Sequence, residues 1–105
     1  SIAHPSLDHI SSKEAQYYNY QAWSKWELPS FSFHRYVNDI ESSNKMLEEL
    51  SKSRNAFYIP VAETITGTTN IFWDFCHLTQ DGITIKAAIM CEFVKEILDM
   101  HDAMN

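Results

Sequence analysis

Residues 72–82 are the most informative stretch of the chain and read Phe-Trp-Asp-Phe-Cys-His-Leu-Thr-Gln-Asp-Gly. Thr79 is placed to cap a helix, and Asp81 falls in the first turn, where the helix dipole favours an acidic side chain. A helical pattern follows from about Gln80 to Met100. Its apolar stripe consists of Ile83, Ala87, Met90, Val94 and Ile97. The sequence therefore predicts an aromatic turn that leads directly into a long amphipathic helix.

The sequence upstream of this turn predicts another helix and a strand. Residues 36–51 carry apolar side chains at three- and four-residue steps, which indicates an amphipathic helix. Asn44 falls on the apolar face of that helix, where we expect it to bond a neighbouring loop. The unbroken apolar run Ala56-Phe57-Tyr58-Ile59 is typical of a strand covered on both faces, and Pro60 would end it. Helix, strand, polar loop (63–70) and helix is the order of an α/β layered fold.

Residues 1–33 form an aromatic-rich region without a sustained period. Ser11 and Glu14 have the spacing of a capping box, which predicts a short helix from about Ser12 to Trp23. The aromatic side chains could line a pocket or form a lid. The interpretation that we favour is that they pack a loop-rich edge against the core.

Composition excludes several classes of function. A chain of 105 residues is enough for one domain, and a net charge of -6 disfavours nucleic acid as a partner. No apolar run approaches the ~20 residues of a membrane span. The chain has only two glycines, Gly67 and Gly82, too few for a dinucleotide fingerprint and not placed for a phosphate-binding loop. Cys76 and Cys91 could form one disulfide, but two thiols do not indicate a redox compartment.

Asp74 and His77 are the candidate catalytic residues. They are three positions apart on a tight loop just before a helix. At this spacing the carboxylate can curl back and accept the imidazole Nδ1–H, which fixes the tautomer and leaves Nε2 as a general base. The alternative is a surface or core histidine beside a helix start, and Asp-x-x-His alone does not distinguish the two.

The wider context of this pair resembles the C-terminal block of the SGNH, or GDSL-type, hydrolase family. That block often reads Asp-x-Cys-His-Leu-Thr, with a Gly three residues after the Thr and then a helix with small residues. The matching positions are Asp74, Cys76, His77, Leu78, Thr79 and Gly82. The resemblance covers roughly residues 34–101 and is sharp only over 72–87. It implies a three-layer α/β/α (flavodoxin-like) fold, of which residues 1–105 would be a C-terminal part: an aromatic region (1–33) and a helix-strand-loop-helix end (34–105).

The resemblance also implies ester hydrolysis through a serine nucleophile, with His77 as the base, Asp74 orienting it, and no metal or organic cofactor. The substrates would be small ester, acetyl or lipid-like molecules. No Gly-Asp-Ser occurs in the chain. We therefore expect the nucleophile and the oxyanion-holding Gly and Asn to lie outside this polypeptide, and the chain alone to be inactive. Self-association, or pairing with the missing N-terminal half, is a further expectation. No segment indicates a cell compartment, although extracytoplasmic location is common in such families.

Other interpretations of the same residues are weaker. Asn38 loosely resembles the oxyanion Asn of the family, but a Tyr replaces the expected Gly and the segment enters a helix. His34, Cys76 and His77 have no recognised metal-ligand spacing. Cys76 is a poor nucleophile candidate, because neighbouring side chains on an extended loop point in opposite directions. A different class of function, a small non-catalytic α/β binding or structural module, remains the alternative.

Overall fold

The computed structural model describes residues 1–65 and 67–104, and its regular elements are helices. They are α1 (Ser12–Ser24), α2 (Phe33–Ser53), α3 (Val61–Thr64) and α4 (Gln80–Met104). Three of these helices lie where the sequence pattern predicts them. The capping box is present as predicted: Ser11 Oγ accepts the backbone N–H of Glu14, whose carboxylate accepts the N–H of Ser11.

The prediction of an α/β fold, a piece of a flavodoxin-like three-layer sheet, is wrong. Among the described residues the only strand-like pairing is an isolated antiparallel bridge between Phe72 and Leu78. Residues 56–60 are not a strand. A strand needs a neighbour to complete its ladder, and here turns use the backbone groups at both ends of the segment instead. The Ala56 N–H donates to the Ser51 carbonyl at 2.8 Å, and the Val61 N–H to the Ile59 carbonyl at 2.9 Å.

The core forms where α1 crosses α2 and the chain from α3 onward returns to them. Tyr18 and Phe33 are fully buried with their ring centroids 5.2 Å apart. The Asn19 side chain accepts the Phe33 N–H at 2.8 Å, which ties α1 to the start of α2. The buried apolar cluster also includes Ala15, Val37, Val61, Ile65, Ile71 and Phe72. This cluster forms the floor under the loop that carries Asp74 and His77.

Asn44 has the structural role that its position on the apolar face of α2 predicts. Its side chain is only 4% exposed. Its Oδ1 accepts the Ile2 N–H at 2.6 Å, and its Nδ2 donates to the Ile2 carbonyl at 2.9 Å. One amide thus satisfies both backbone groups of one residue and holds the N-terminal segment against α2.

Helix α4 is longer than its predicted span and is poorly covered. Its predicted apolar stripe is largely exposed: Ile83, Met90 and Val94 each have 40% or more of their surface in solvent. The radius of gyration is 16.0 Å and the longest dimension is 54 Å, whereas a compact domain of this length has a radius of about 13 Å. Most of this stripe therefore does not pack on the core. Within residues 1–65 and 67–104, no helix combines the length and apolar content that crossing a bilayer requires.

Candidate active site around Asp74 and His77

The candidate site is a tight hairpin of residues 72–78, which we call the Asp74 hairpin. It is closed by the Phe72–Leu78 bridge and by the Trp73 N–H, which donates to the His77 carbonyl at 3.0 Å. The hydroxyl of Tyr18, buried in α1, donates to the Phe72 carbonyl at 2.9 Å. The base of the hairpin is therefore fixed to the core of the molecule.

The inner side of the hairpin is anchored by the ring of Phe75. Its centroid lies 4.5 Å from that of Phe31 and 5.2 Å from that of Tyr36. Burial raises the pKa of Tyr36 to about 12, with the charges of Cys76 and Asp74 adding to the effect, so this ring is neutral at physiological pH. An aromatic anchor and a hydrogen-bonded base together hold the turn between them in one conformation.

Asp74 is fully buried and its two carboxylate oxygens have separate roles. Oδ1 accepts the backbone N–H of Cys76 at 2.9 Å and that of His77 at 2.6 Å, an Asx-type turn that bends the chain. Oδ2 lies 2.8 Å from Nδ1 of His77. Burial alone would raise the pKa of Asp74. The two backbone donors and the His77 ring outweigh burial and lower that pKa, so the carboxylate is charged at neutral pH.

The structure thus brings together the two predicted residues in the predicted contact. The His77 side chain keeps 49% of its surface exposed. No described residue in 1–65 and 67–104 forms a hydrogen bond with its Nε2. With Asp74 ionised and its Oδ2 at 2.8 Å, the proton of the neutral imidazole belongs on Nδ1, which leaves a lone pair on Nε2. The arrangement can accept a proton from a group presented at Nε2.

Two tryptophans stack on His77, a contact that the sequence does not predict. The imidazole centroid lies 5.5 Å from the Trp26 ring and 5.2 Å from the Trp73 ring, with interplanar angles of 17° and 23°. Lys25 Nζ lies 4.6 Å from the centroid of Trp73. Trp26 is one of the aromatic side chains of residues 1–33, for which the favoured interpretation is packing of a loop-rich edge against the core. No local signal links position 26 to position 77, because the contact depends on how α1 docks.

Cys76 is placed differently from the sequence expectation. Its Sγ lies 3.3 Å from Nδ1 of His77, because the Asp74 turn folds the two neighbouring side chains towards each other instead of apart. Partial burial of the sulfur, the Asp74 charge and a hydrogen bond to Asp74 raise the pKa of the Cys76 thiol to about 11. The thiol is therefore protonated at neutral pH, which makes it a weak nucleophile. Cys76 and Cys91 are both free thiols, so the suggested disulfide is absent.

The only described cluster of three or more metal-ligand side chains in residues 1–65 and 67–104 is also in this hairpin. One donor atom each from Asp74, Cys76 and His77 lies within 4.8 Å of the others. His34 is not part of this cluster. Asn38, which loosely resembles the oxyanion Asn, is an exposed residue of α2.

Comparison of the chain with protein-family models, curated proteins and solved structures gave no match.

Proposed function

We propose that Asp74 and His77 are the orienting acid and the general base of a serine acyl hydrolase of the SGNH, or GDSL, type. The nucleophilic serine and the oxyanion donors would come from a segment outside residues 1–105. The single observation that carries the proposal is the buried carboxylate 2.8 Å from Nδ1 of a half-exposed imidazole. The described residues 1–65 and 67–104 lack the α/β architecture that the resemblance implied, so the proposal rests on the hairpin and not on the fold.

The chemistry that the hairpin supports has two steps for this chain. His77 Nε2 takes the proton of an incoming serine hydroxyl as that oxygen attacks an ester carbonyl, and then returns the proton to the leaving alcohol. The imidazolium formed between the steps is stabilised by the charge of Asp74 at 2.8 Å. The stacked faces of Trp26 and Trp73 add a favourable cation–π interaction with that same species.

The proposal is tested on the protein isolated from its source with whatever sequence or partner chain accompanies these residues. Turnover of p-nitrophenyl acetate and butyrate is measured for the unmodified protein and for His77→Ala. Loss of the base should lower turnover by about 10²-fold or more. His34→Ala, an exposed histidine of α2, is the matched control and should leave turnover unchanged. The isolated 105 residues should remain at background.

A non-catalytic interaction module is the second candidate, favoured by one observation. The apolar stripe of α4 is exposed along most of its length, as expected of a helix that packs against another molecule. This candidate predicts no esterase turnover above background in any form of the protein. It also predicts equal behaviour of His77→Ala and His34→Ala in the assay above. Either result would remove the hydrolase proposal.

A further inference from the structure

Three chemically different donor atoms converge on one side of the Asp74 hairpin. Cys76 Sγ and Asp74 Oδ2 lie 3.3 and 2.8 Å from the same atom, Nδ1 of His77. The Cys76 and His77 side chains are exposed, so an ion from solvent can reach the cluster. A thiol, an imidazole and a carboxylate are all common zinc ligands.

We propose that Asp74, Cys76 and His77 form a binding site for a thiophilic divalent cation of the Zn²⁺ or Cd²⁺ class, bound through Oδ2, Sγ and Nδ1. Ordinary tetrahedral zinc bonds place a nitrogen and a sulfur ligand about 3.5 Å apart and a nitrogen and an oxygen ligand about 3.3 Å apart. The observed separations of 3.3 and 2.8 Å need only small outward movements of Cys76 and His77. Water would complete the fourth position on the exposed side.

The carboxylate is already held in place for such a role. Asp74 Oδ1 accepts two backbone N–H groups, so Oδ2 alone is left to bind the ion. The fully buried carboxylate cannot swing away from the hairpin. Hydrogen bonds that fix a ligand from its outer side are typical of protein metal sites and strengthen them.

Binding of the ion would move protons in a way that affects the proposed hydrolase, and this consequence rests on that proposed function. The ion displaces the thiol proton of Cys76 to solvent. It also takes the Nδ1 lone pair of His77, and the proton carried by Nδ1 is then carried by Nε2. One proton is released for each ion bound. The imidazole can no longer accept a proton at Nε2, so a bound cation switches off the general base.

Binding is measured on the 105-residue chain by the ultraviolet thiolate-to-Cd²⁺ charge-transfer absorption and by calorimetry with Zn²⁺. The chain has a matched control, because Cys91 is a second exposed, free cysteine on α4. The proposal expects one ion per chain and one proton released per ion. It also expects unchanged binding by Cys91→Ser and an affinity lower by about tenfold or more for Cys76→Ser and His77→Gln. His34→Ala should bind as the unmodified chain does.

Several results would overturn the site. These are absence of the charge-transfer band, its loss in Cys91→Ser instead of Cys76→Ser, or full affinity in His77→Gln. Circular dichroism spectra that match the unmodified chain establish that each variant is folded. The metal-site proposal and the hydrolase proposal can be refuted independently of each other. If the ion binds but does not inhibit a His77-dependent esterase, the switch is wrong and both sites stand. If His77→Ala abolishes turnover while no ion binds, the hydrolase stands and the metal site falls.

Discussion

Replacement of Asp74 by Asn should invert the tautomer of His77 while the hairpin remains folded. In the native turn, Oδ1 accepts two backbone N–H groups and Oδ2 accepts the imidazole Nδ1–H. An asparagine has one acceptor oxygen, and the two backbone donors need it. The amide NH₂ then faces Nδ1 and can only donate to it, which drives the imidazole proton to Nε2.

Asp74→Asn should change both the stability and the turnover of the protein. The change replaces charge-assisted hydrogen bonds by neutral ones and should lower the free energy of unfolding by about 1–3 kcal/mol. The larger effect is on catalysis, because the wrong tautomer has no lone pair at Nε2. Turnover of the active protein should fall by roughly 10⁴-fold, as occurs where an aspartate fixes the tautomer of a catalytic histidine.

The tautomer is assayed by ¹⁵N–¹H correlation spectra of the imidazole rings in the labelled chain at a pH where His77 is neutral. The chain has five histidines, and His77→Gln assigns the signal. The native chain should show a protonated Nδ1 and Asp74→Asn a protonated Nε2. Asp39→Asn, which alters an exposed residue of α2, is the control and should change nothing. A native-like Nδ1–H signal in Asp74→Asn would refute the reasoning.

Three further results are expected. In the Cys91→Ser variant, the rate at which iodoacetamide alkylates Cys76 should keep rising until about pH 11, because partial burial and a nearby carboxylate raise the pKa of this thiol. A plateau of the rate at pH 8–9, near the usual cysteine pKa, would contradict this expectation. Asn44→Ala should lower the free energy of unfolding by about 1–3 kcal/mol in urea denaturation, because it leaves two backbone groups unpaired, whereas exposed Asn38→Ala should have little effect. Gly82→Ala should lower the free energy of unfolding by about 1–3 kcal/mol despite the better helix propensity of alanine, because the added Cβ would collide with the backbone carbonyl of Ile71, just before the hairpin. A higher melting temperature for this variant would show that the backbone relaxes to remove the collision.

The helices were predictable because their signals are local. The capping box at Ser11 and Glu14 predicts where α1 begins. Thr79 caps α4 as the sequence indicates, with its Oγ1 accepting the Gly82 N–H at 3.0 Å. The contact between Asp74 and His77 was also predictable, because a spacing of three residues on a turn leaves few other geometries.

The strand and the surroundings of His77 were not predictable for the opposite reason. An apolar run such as residues 56–59 reports burial preference, but a strand also needs a partner, and no described segment pairs with it. The stacking of Trp26 on His77 depends on how α1 docks against the hairpin. The approach of Cys76 to His77 depends on backbone bonds to Asp74 that an extended-loop assumption ignores. The missing strand partner and the Trp26 stacking are set by tertiary structure and leave no mark in the local pattern, whereas the Cys76 contact follows from the local turn at Asp74.

The proposed role of His77 is to activate a serine that lies outside residues 1–105. A fluorophosphonate probe, which reacts with activated serine hydroxyls, tests it on the protein isolated with its native sequence context and partners. Mass spectrometry of the digest then locates the modified serine. The account predicts a single labelled serine outside residues 1–105, with the label lost in His77→Ala and retained in His34→Ala. A labelled serine within residues 1–105, or labelling indifferent to His77, would contradict it.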